Sequence, residues 1–179
     1  TITCSPYCSY NQTYNVRQME DMLEALFEEP KGKVHGLEIN MSGCNITREI
    51  ITPLAHLLRL RANILVALDL SNTRLSDEML EILLPTFKDS KMSSLNLSFT
   101  DITEDGIEKL LNQVKLMRGI NELDLRGLGN ISDTKAKRII EHLKESSLTA
   151  LKCSCPYFIA MADKLECFVL HHTTLDLSG

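Results

Sequence analysis

The sequence predicts an α/β repeat fold, in which every unit adds one strand to a parallel sheet and one helix to a second layer. The first observation is a short apolar motif, Leu68-Asp-Leu70 in its clearest copy, that returns along the chain. The copies begin at Ile39, Leu68, Leu95, Leu123, Leu151 and Leu175. These residues lie 29, 27, 28, 28 and 24 positions apart. A nearly constant period of this size is typical of units that stack and bury a shared core.

The second observation is a helix-start signal at the same place in four units. A Ser or Thr follows the last apolar residue of the motif, and acidic residues come after it. These Ser and Thr residues are Thr47, Ser76, Thr103 and Ser132. Such side chains cap the N–H groups of a first helical turn, and acidic groups favour the positive end of the helix dipole. Each motif is therefore predicted to be a strand followed by a helix.

The third observation is the apolar spacing after these caps. Ile107, Leu110, Leu111 and Val114 recur at helical spacing, and the segments before and after repeat the pattern. The first helix is less regular. Because Thr52 precedes Pro53, the sequence predicts that this helix begins at Pro53 after a short turn.

The full motif, Leu68-Asp-Leu70-Ser-Asn-Thr73-Arg-Leu75, resembles the leucine-rich repeat. The long helices and the period near 28 are similar to the ribonuclease-inhibitor-like class, which also supplies the repeats of NOD-like receptors and tropomodulin. The resemblance implies a right-handed solenoid, a horseshoe arc with a concave parallel sheet and convex helices. It covers residues 34–179, as about five repeats and a partial sixth. Residues 1–33 are predicted to be an N-terminal loop and a capping helix.

In this family a polar atom at one inward position satisfies the backbone of the turn. Thr73, Thr100 and Cys44 occupy that position here. We therefore expect all three to be structural, because a buried backbone group without a partner is costly.

Charge and composition exclude several function classes. The net charge is −5, with 19 Lys and Arg against 24 Asp and Glu, and no basic stripe predicts a nucleic-acid partner. Apolar runs are too short to predict a membrane-spanning helix. Of six cysteines, Cys44 and Cys153 fall on core positions of the repeat. We expect a reducing compartment, and hence a cytoplasmic protein.

The partner-binding surface is predicted from strand geometry. Strand side chains alternate, so the residues between and after the signature leucines face the concave side. The predicted binding residues are Asn40, Asp69, Asn72, Arg74, Asn96, Phe99, Asp101, Asp124, Arg126 and Lys152. Aromatic residues and Arg are enriched at interface hot spots, which makes Phe99 and Arg126 the predicted anchors. The alternative is that a solvated sheet face is polar in any case and that Phe99 packs against the neighbouring turn.

Catalytic and metal sites are not predicted. No nucleophile, phosphate-loop or zinc-protease motif is present, and Asp69 and Asp124 face an open surface without a pocket. Cys153, Cys155, Cys167, His171 and His172 are zinc-ligand types, but their spacing matches no familiar finger. We predict no enzyme activity, no cofactor and no metal. Cys4 and Cys8 remain open to a disulfide or to two thiols.

The sequence favours two functions. The first is a non-catalytic module that binds a protein partner through the concave strand face. The second is a ligand-sensing or autoinhibitory repeat segment of a larger protein such as a NOD-like receptor, whose partner is another domain of the same chain. The chain begins at Thr1 rather than at Met and stops at Gly179, partway into a repeat, so we expect a segment of a longer protein. An open C-terminal strand also predicts possible self-association. A secreted recognition domain with a Cys4–Cys8 disulfide is a more distant third.

Overall fold

The computed structural model describes residues 2–4, 36–128, 131–144 and 146–154, with the backbone alone at 2–4, 140, 142 and 144. The strands are β1 Ile2–Cys4, β2 Leu37–Asn40, β3 Leu65–Asp69, β4 Ser94–Asn96, β5 Glu122–Leu125 and β6 Ala150–Cys153. The helices are α1 Arg48–Leu60, α2 Asp77–Phe87, α3 Glu104–Val114 and α4 Asp133–Lys144.

The strands form one parallel sheet in chain order, β1 to β6. From β2 onward each strand is joined to the next by one helix, as the alternation of motifs and caps predicts. The register places the first residues of five motifs side by side, namely Ile39, Leu68, Leu95, Leu123 and Leu151. The α/β class, the parallel sheet and the spacing of the units are therefore confirmed.

The core lies between the sheet and the helices. Leu68, Leu95 and Leu123 are at most 1% exposed, and they belong to one continuous cluster that runs from Leu37 to Leu151. Burying each such side chain contributes roughly 1.5–3 kcal/mol. The helical stripe Ile107, Leu110, Leu111 and Val114 is buried as predicted. One layer of side chains therefore joins successive units.

The helices begin where the cap signals predict. The N-cap residues of α1, α2 and α3 are Thr47, Ser76 and Thr103, and α4 begins directly after Ser132. The N-cap residues differ in whether their side chains form a capping hydrogen bond. Thr103 accepts a bond from the Asp105 N–H at 3.3 Å, whereas the side chains of Thr47 and Ser76 make none.

For the first helix the sequence also predicts a later start, at Pro53 after Thr52. That later start is wrong. Helix α1 begins at Arg48, and Pro53 lies inside it. Ile50, Ile51, Leu54, Leu57 and Leu58 are buried on one face that runs past the proline. This burial outweighs the one backbone hydrogen bond that Pro53 is unable to donate.

The structure also corrects the description of residues 2–4 as part of a loop. They form β1, which pairs in parallel with β2 through Ile2–Leu37, Thr3–Glu38 and Cys4–Ile39. An unpaired edge of β2 exposes backbone groups, and a strand added there satisfies them. The predicted capping helix, the last motif at Leu175 and the open C-terminal strand lie outside the described residues.

The helices are also joined by contacts one unit apart. Thr103, which lies just before α3, donates two hydrogen bonds to the carboxylate of Asp77 in α2. One comes from its backbone N–H, at 2.8 Å, and the other from its hydroxyl. Glu104 in α3 accepts a bond from the Ser132 N–H at 3.0 Å. The first acidic residue of one helix therefore binds the residue that precedes the next helix.

Ion pairs cross the outer helical layer with the same spacing. They join Arg48 to Glu78, Lys109 to Glu81, Lys135 to Glu104 and Asp105, and Arg138 to Glu108. The hydrogen bond from Lys135 lowers the pKa of the Asp105 carboxyl and raises the pKa of Lys135. These groups are exposed or partly exposed to solvent, so each pair contributes little to stability and mainly orients neighbouring helices.

The inward polar position of the turn has the predicted structural role. The Thr73 hydroxyl donates to the Leu70 carbonyl at 2.7 Å, and the Thr100 hydroxyl donates to the Leu97 carbonyl at 2.9 Å. Cys44 is buried at the equivalent place. Within the described residues, no helix is long and apolar enough to cross a membrane.

Candidate interaction surface

The predicted polar residues between the signature leucines form a row across the sheet. The strand register aligns Asn40, Asp69, Asn96, Asp124 and Lys152 on neighbouring strands. We call these five residues the polar row. Their alternation with buried leucines points them away from the helices.

The four Asn and Asp residues of the polar row terminate their strands through local hydrogen bonds. The side-chain oxygens of Asn40 and Asp69 each accept a bond from the backbone N–H two residues later, at 2.9 Å. Asn96 and Asp124 do the same at 3.1 Å. This is the Asx-turn geometry, in which Asn or Asp replaces a backbone acceptor. The residue type at this position is therefore explained by the fold, and only the second polar atom of each side chain remains for other contacts.

Those second atoms are partly engaged along the row. The Asn96 amide donates to Asp69 Oδ2 at 3.1 Å. Arg126 donates from Nε to Asp124 Oδ1 at 2.9 Å and from Nη2 to Asp124 Oδ2 at 2.6 Å. The hydrogen bonds to Asp124 raise the pKa of Arg126. Arg126 remains half-exposed while Asp124 is buried, so the guanidinium faces solvent in a fixed orientation.

A second outward row lies beside the first and was missed from the sequence. The register aligns Glu38, Ala67, Ser94, Glu122 and Ala150, two positions before the polar row. Glu122 pairs with Lys152. The strict two-residue alternation of a strand is the signal that would have found this row.

The two rows enclose a groove of about 300 Å³ across β2 to β6. Its lining includes six of the predicted binding residues, namely Asn40, Asp69, Asn96, Asp124, Arg126 and Lys152. Small side chains at Ala67 and Ser94 form its centre, between the carboxylates of Glu38 and Glu122. The groove is polar, and its floor leaves space for side chains of a partner.

The other four predicted residues lie apart from the groove, in the turns that follow the strands. Asn72, Arg74, Phe99 and Asp101 are exposed there, and we call them the turn edge. The predicted surface therefore divides into a groove and an adjoining edge.

Phe99 has an unusual backbone conformation. Each of the four turns that the structure describes in full has a residue with positive φ at the same position: Gly43 (71°), Asn72 (55°), Phe99 (55°) and Gly127 (71°). Gly and Asn adopt this left-handed conformation readily, whereas a bulky side chain there is strained. Phe99 is therefore the residue least suited to its place in the turn.

The Phe99 ring is also exposed, although it contacts one neighbour. Its exposed fraction is 54%. The ring lies so close to Gly127 that a Cβ at position 127 would be 2.6 Å from Cε1. The ring therefore packs on the next turn, as one of the two alternatives predicts, and is still partly exposed.

Both carboxylates that the sequence pairs on this face are engaged by neighbouring groups. Asp69 is engaged by Ser71 and Asn96, and Asp124 by Arg126. Among the described residues, no three His, Cys, Asp or Glu side chains lie together as metal ligands. Cys8, Cys155, Cys167, His171 and His172 lie outside the described part of the chain, so the zinc and disulfide alternatives stay open.

Comparison with known proteins gives a fold likeness. No family model matches the chain, and no curated protein matches it. The solved structures that are similar to this chain include two domains. One is leiomodin-1 actin-binding site 2, with a TM-score of 0.64, 22% identity, and coverage of 82% of this chain and 84% of that one. The other is the tropomodulin C-terminal domain of Caenorhabditis elegans, with a TM-score of 0.67, 18% identity, and coverage of 83% and 91%. The shared fold agrees in part with the class that the sequence resembles.

Proposed function

We propose that the chain is a non-catalytic protein-binding domain, built as a right-handed leucine-rich-repeat solenoid of the ribonuclease-inhibitor-like class. Its partner contacts Phe99 on the turn edge and the polar groove beside it. The observation that carries this proposal is Phe99, an exposed aromatic ring on a left-handed backbone. Exposure and strain both cost stability, whereas a rigid exposed ring is a typical interface anchor.

The contact with Gly127 supports this role. A ring that already lies on a neighbouring turn has one orientation before the partner arrives. Less side-chain entropy is then lost on binding, which raises affinity without a new contact. Arg126 is held in the same way by its two bonds to Asp124.

The groove supplies the polar contacts that surround an anchor. Arg126 and Lys152 are paired with carboxylates, whereas the structure gives Glu38 no ion pair within the described residues. A basic side chain of the partner complements Glu38 above the small side chain of Ala67. The partner is therefore a protein surface with an apolar pocket for Phe99 and a basic group near it.

Actin is the first partner to test. The leiomodin-1 domain that shares this fold is an actin-binding site. The two similar structures do not favour the alternative of a sensing segment in a NOD-like receptor. We place the chain in the cytoplasm, as the cysteine pattern predicts.

The experiment compares Phe99→Asn with wild type in the full chain. Asn occupies the equivalent position at residue 72, so the turn tolerates it. We expect actin affinity to fall by about tenfold or more, because an interface anchor contributes roughly 2 kcal/mol. Co-sedimentation with filaments and fluorescence anisotropy with monomers measure the loss.

The matched control is Leu60→Asn, which removes another exposed apolar side chain at the opposite edge of the fold. It is expected to bind as wild type does. If wild type binds no actin, the same variants are used as bait for proteins of the native source. A partner held equally well by wild type and Phe99→Asn would contradict the proposed surface.

A further inference from the structure

A second charged surface lies at the opposite edge of the fold, where the helices end and the chain returns to the sheet. Three connections meet there, at residues 59–64, 88–93 and 115–121. They contain six cations, namely Arg59, Arg61, Lys88, Lys91, Lys115 and Arg118. We call these six residues the basic rim. Asp89 is the one acidic residue in the three connections, although the whole chain carries a net charge of −5.

The three connections are in contact with one another. The Lys91 N–H donates to the Ala62 carbonyl at 3.0 Å, which joins the first connection to the second. A Cβ at Gly119 would lie 3.5 Å from the Lys91 carbonyl oxygen, which places the third connection against the second. The basic rim is therefore one continuous surface across at least three units.

Helix ends explain part of this charge. Arg59 lies in the last turn of α1, and Arg61, Lys88 and Lys115 are the C-cap residues of α1, α2 and α3. Cations there stabilise the negative end of the helix dipole. Lys91 and Arg118 lie four residues beyond the ends of α2 and α3 and are exposed, so the dipole does not explain them.

An exposed apolar side chain accompanies the charge. Leu116 is 55% exposed and lies in the third of these connections. Leu116 lines a depression of about 540 Å³ together with Lys88, Asp89, Ser90, Lys115 and Arg118. The depression therefore combines several cations with one exposed apolar side chain.

We propose that the basic rim binds an acidic peptide segment of a partner protein, with one apolar side chain of that segment on Leu116. Carboxylates complement the cations at Lys91 and Arg118. A peptide also uses the apolar surface of Leu116, which a phosphate backbone does not. This surface lies before the strands, whereas the turn edge with Phe99 lies after them. The two surfaces are therefore independent.

The test uses the full chain and a fluorescein-labelled peptide of repeated Glu-Glu-Leu, with a Glu-Glu-Ser peptide of equal length for comparison. Wild type is expected to bind the leucine peptide more tightly. Raising the salt from about 0.05 M to about 0.3 M should weaken binding on the order of tenfold, because exposed charges are screened. Leu116→Ser should remove the difference between the two peptides.

The decisive variant is Lys91→Glu/Arg118→Glu, which is expected to abolish peptide binding. Its matched control, Arg48→Glu/Lys137→Glu, makes the same charge change on the exposed helical layer and should bind as wild type does. Equal binding by the decisive variant, or no binding by wild type, would overturn the proposal. Binding to phosphatidylserine vesicles that requires Lys91 and Arg118, without peptide binding, would also overturn it and assign the basic rim to a membrane surface. Phe99→Asn should bind the peptide as wild type does. A negative result for the basic rim would therefore leave the turn-edge proposal untouched.

Discussion

Gly127→Ala is expected to lower the free energy of unfolding by about 2–5 kcal/mol. A left-handed backbone costs a residue with a Cβ about 1–2 kcal/mol. The new Cβ also overlaps the Phe99 ring, and displacing a packed side chain costs roughly 1–3 kcal/mol. Urea denaturation of the full chain measures the change.

Gly43→Ala is the matched control for this prediction. Gly43 has the same φ of 71°, yet a Cβ there meets no atom within 4 Å. We expect a loss of only about 1–2 kcal/mol from the backbone alone. In the double variant Phe99→Asn/Gly127→Ala the extra loss should disappear, because the ring that the new Cβ meets is gone. Equal losses for Gly43→Ala and Gly127→Ala would contradict the contact between Phe99 and Gly127.

Leu95→Ala is expected to cost about 2–5 kcal/mol, the range for truncating a fully buried leucine. Leu95 lies on the central strand β4, aligned with Leu68 and Leu123, and has no exposed surface. A cavity there opens the core of three units at once. Equilibrium unfolding in urea, followed by circular dichroism, reports the loss.

Ser94→Ala serves as the control on the same strand. Ser94 points into the groove and is half-exposed, so its substitution should change stability by no more than about 0.5 kcal/mol. The contrast between Ser94 and Leu95 tests whether side chains of β4 alternate between the groove and the core, as the predicted surface requires. A loss below about 1 kcal/mol for Leu95→Ala would be inconsistent with a repeat core.

The fold was largely predictable because every unit carries the same sequence pattern. The leucine motif, the cap position and the helical stripe are local signals, and their repetition along the chain removes the ambiguity of any one copy. The start of α1 was misplaced because Pro53 is a local signal too, and the burial of Ile50 and Ile51 overrides it. Residues 2–4 were assigned to a loop because nothing local shows that β2 has a free edge for them.

The surface was predictable only in part. Ten residues were placed on the outward side of the motif, but their division into a groove and a turn edge depends on how the chain bends after each strand. The pairs Asp77–Thr103 and Glu104–Ser132 join residues 26 and 28 positions apart, so they require the stacking of units to be known. The strain at Phe99 is visible in the sequence only when position 99 is aligned with Gly43, Asn72 and Gly127.

The measurement that tests the central claim most directly is the free energy of unfolding of Phe99→Gly, taken together with its partner affinity. The claim is that Phe99 serves a partner and strains the turn. Removing the side chain relieves a backbone cost of about 1–2 kcal/mol and loses a partly exposed contact with Gly127. The account predicts that the free energy of unfolding stays equal to wild type or rises, while partner affinity falls. A loss of stability of about 2 kcal/mol or more, with affinity unchanged, would show that Phe99 serves the fold instead.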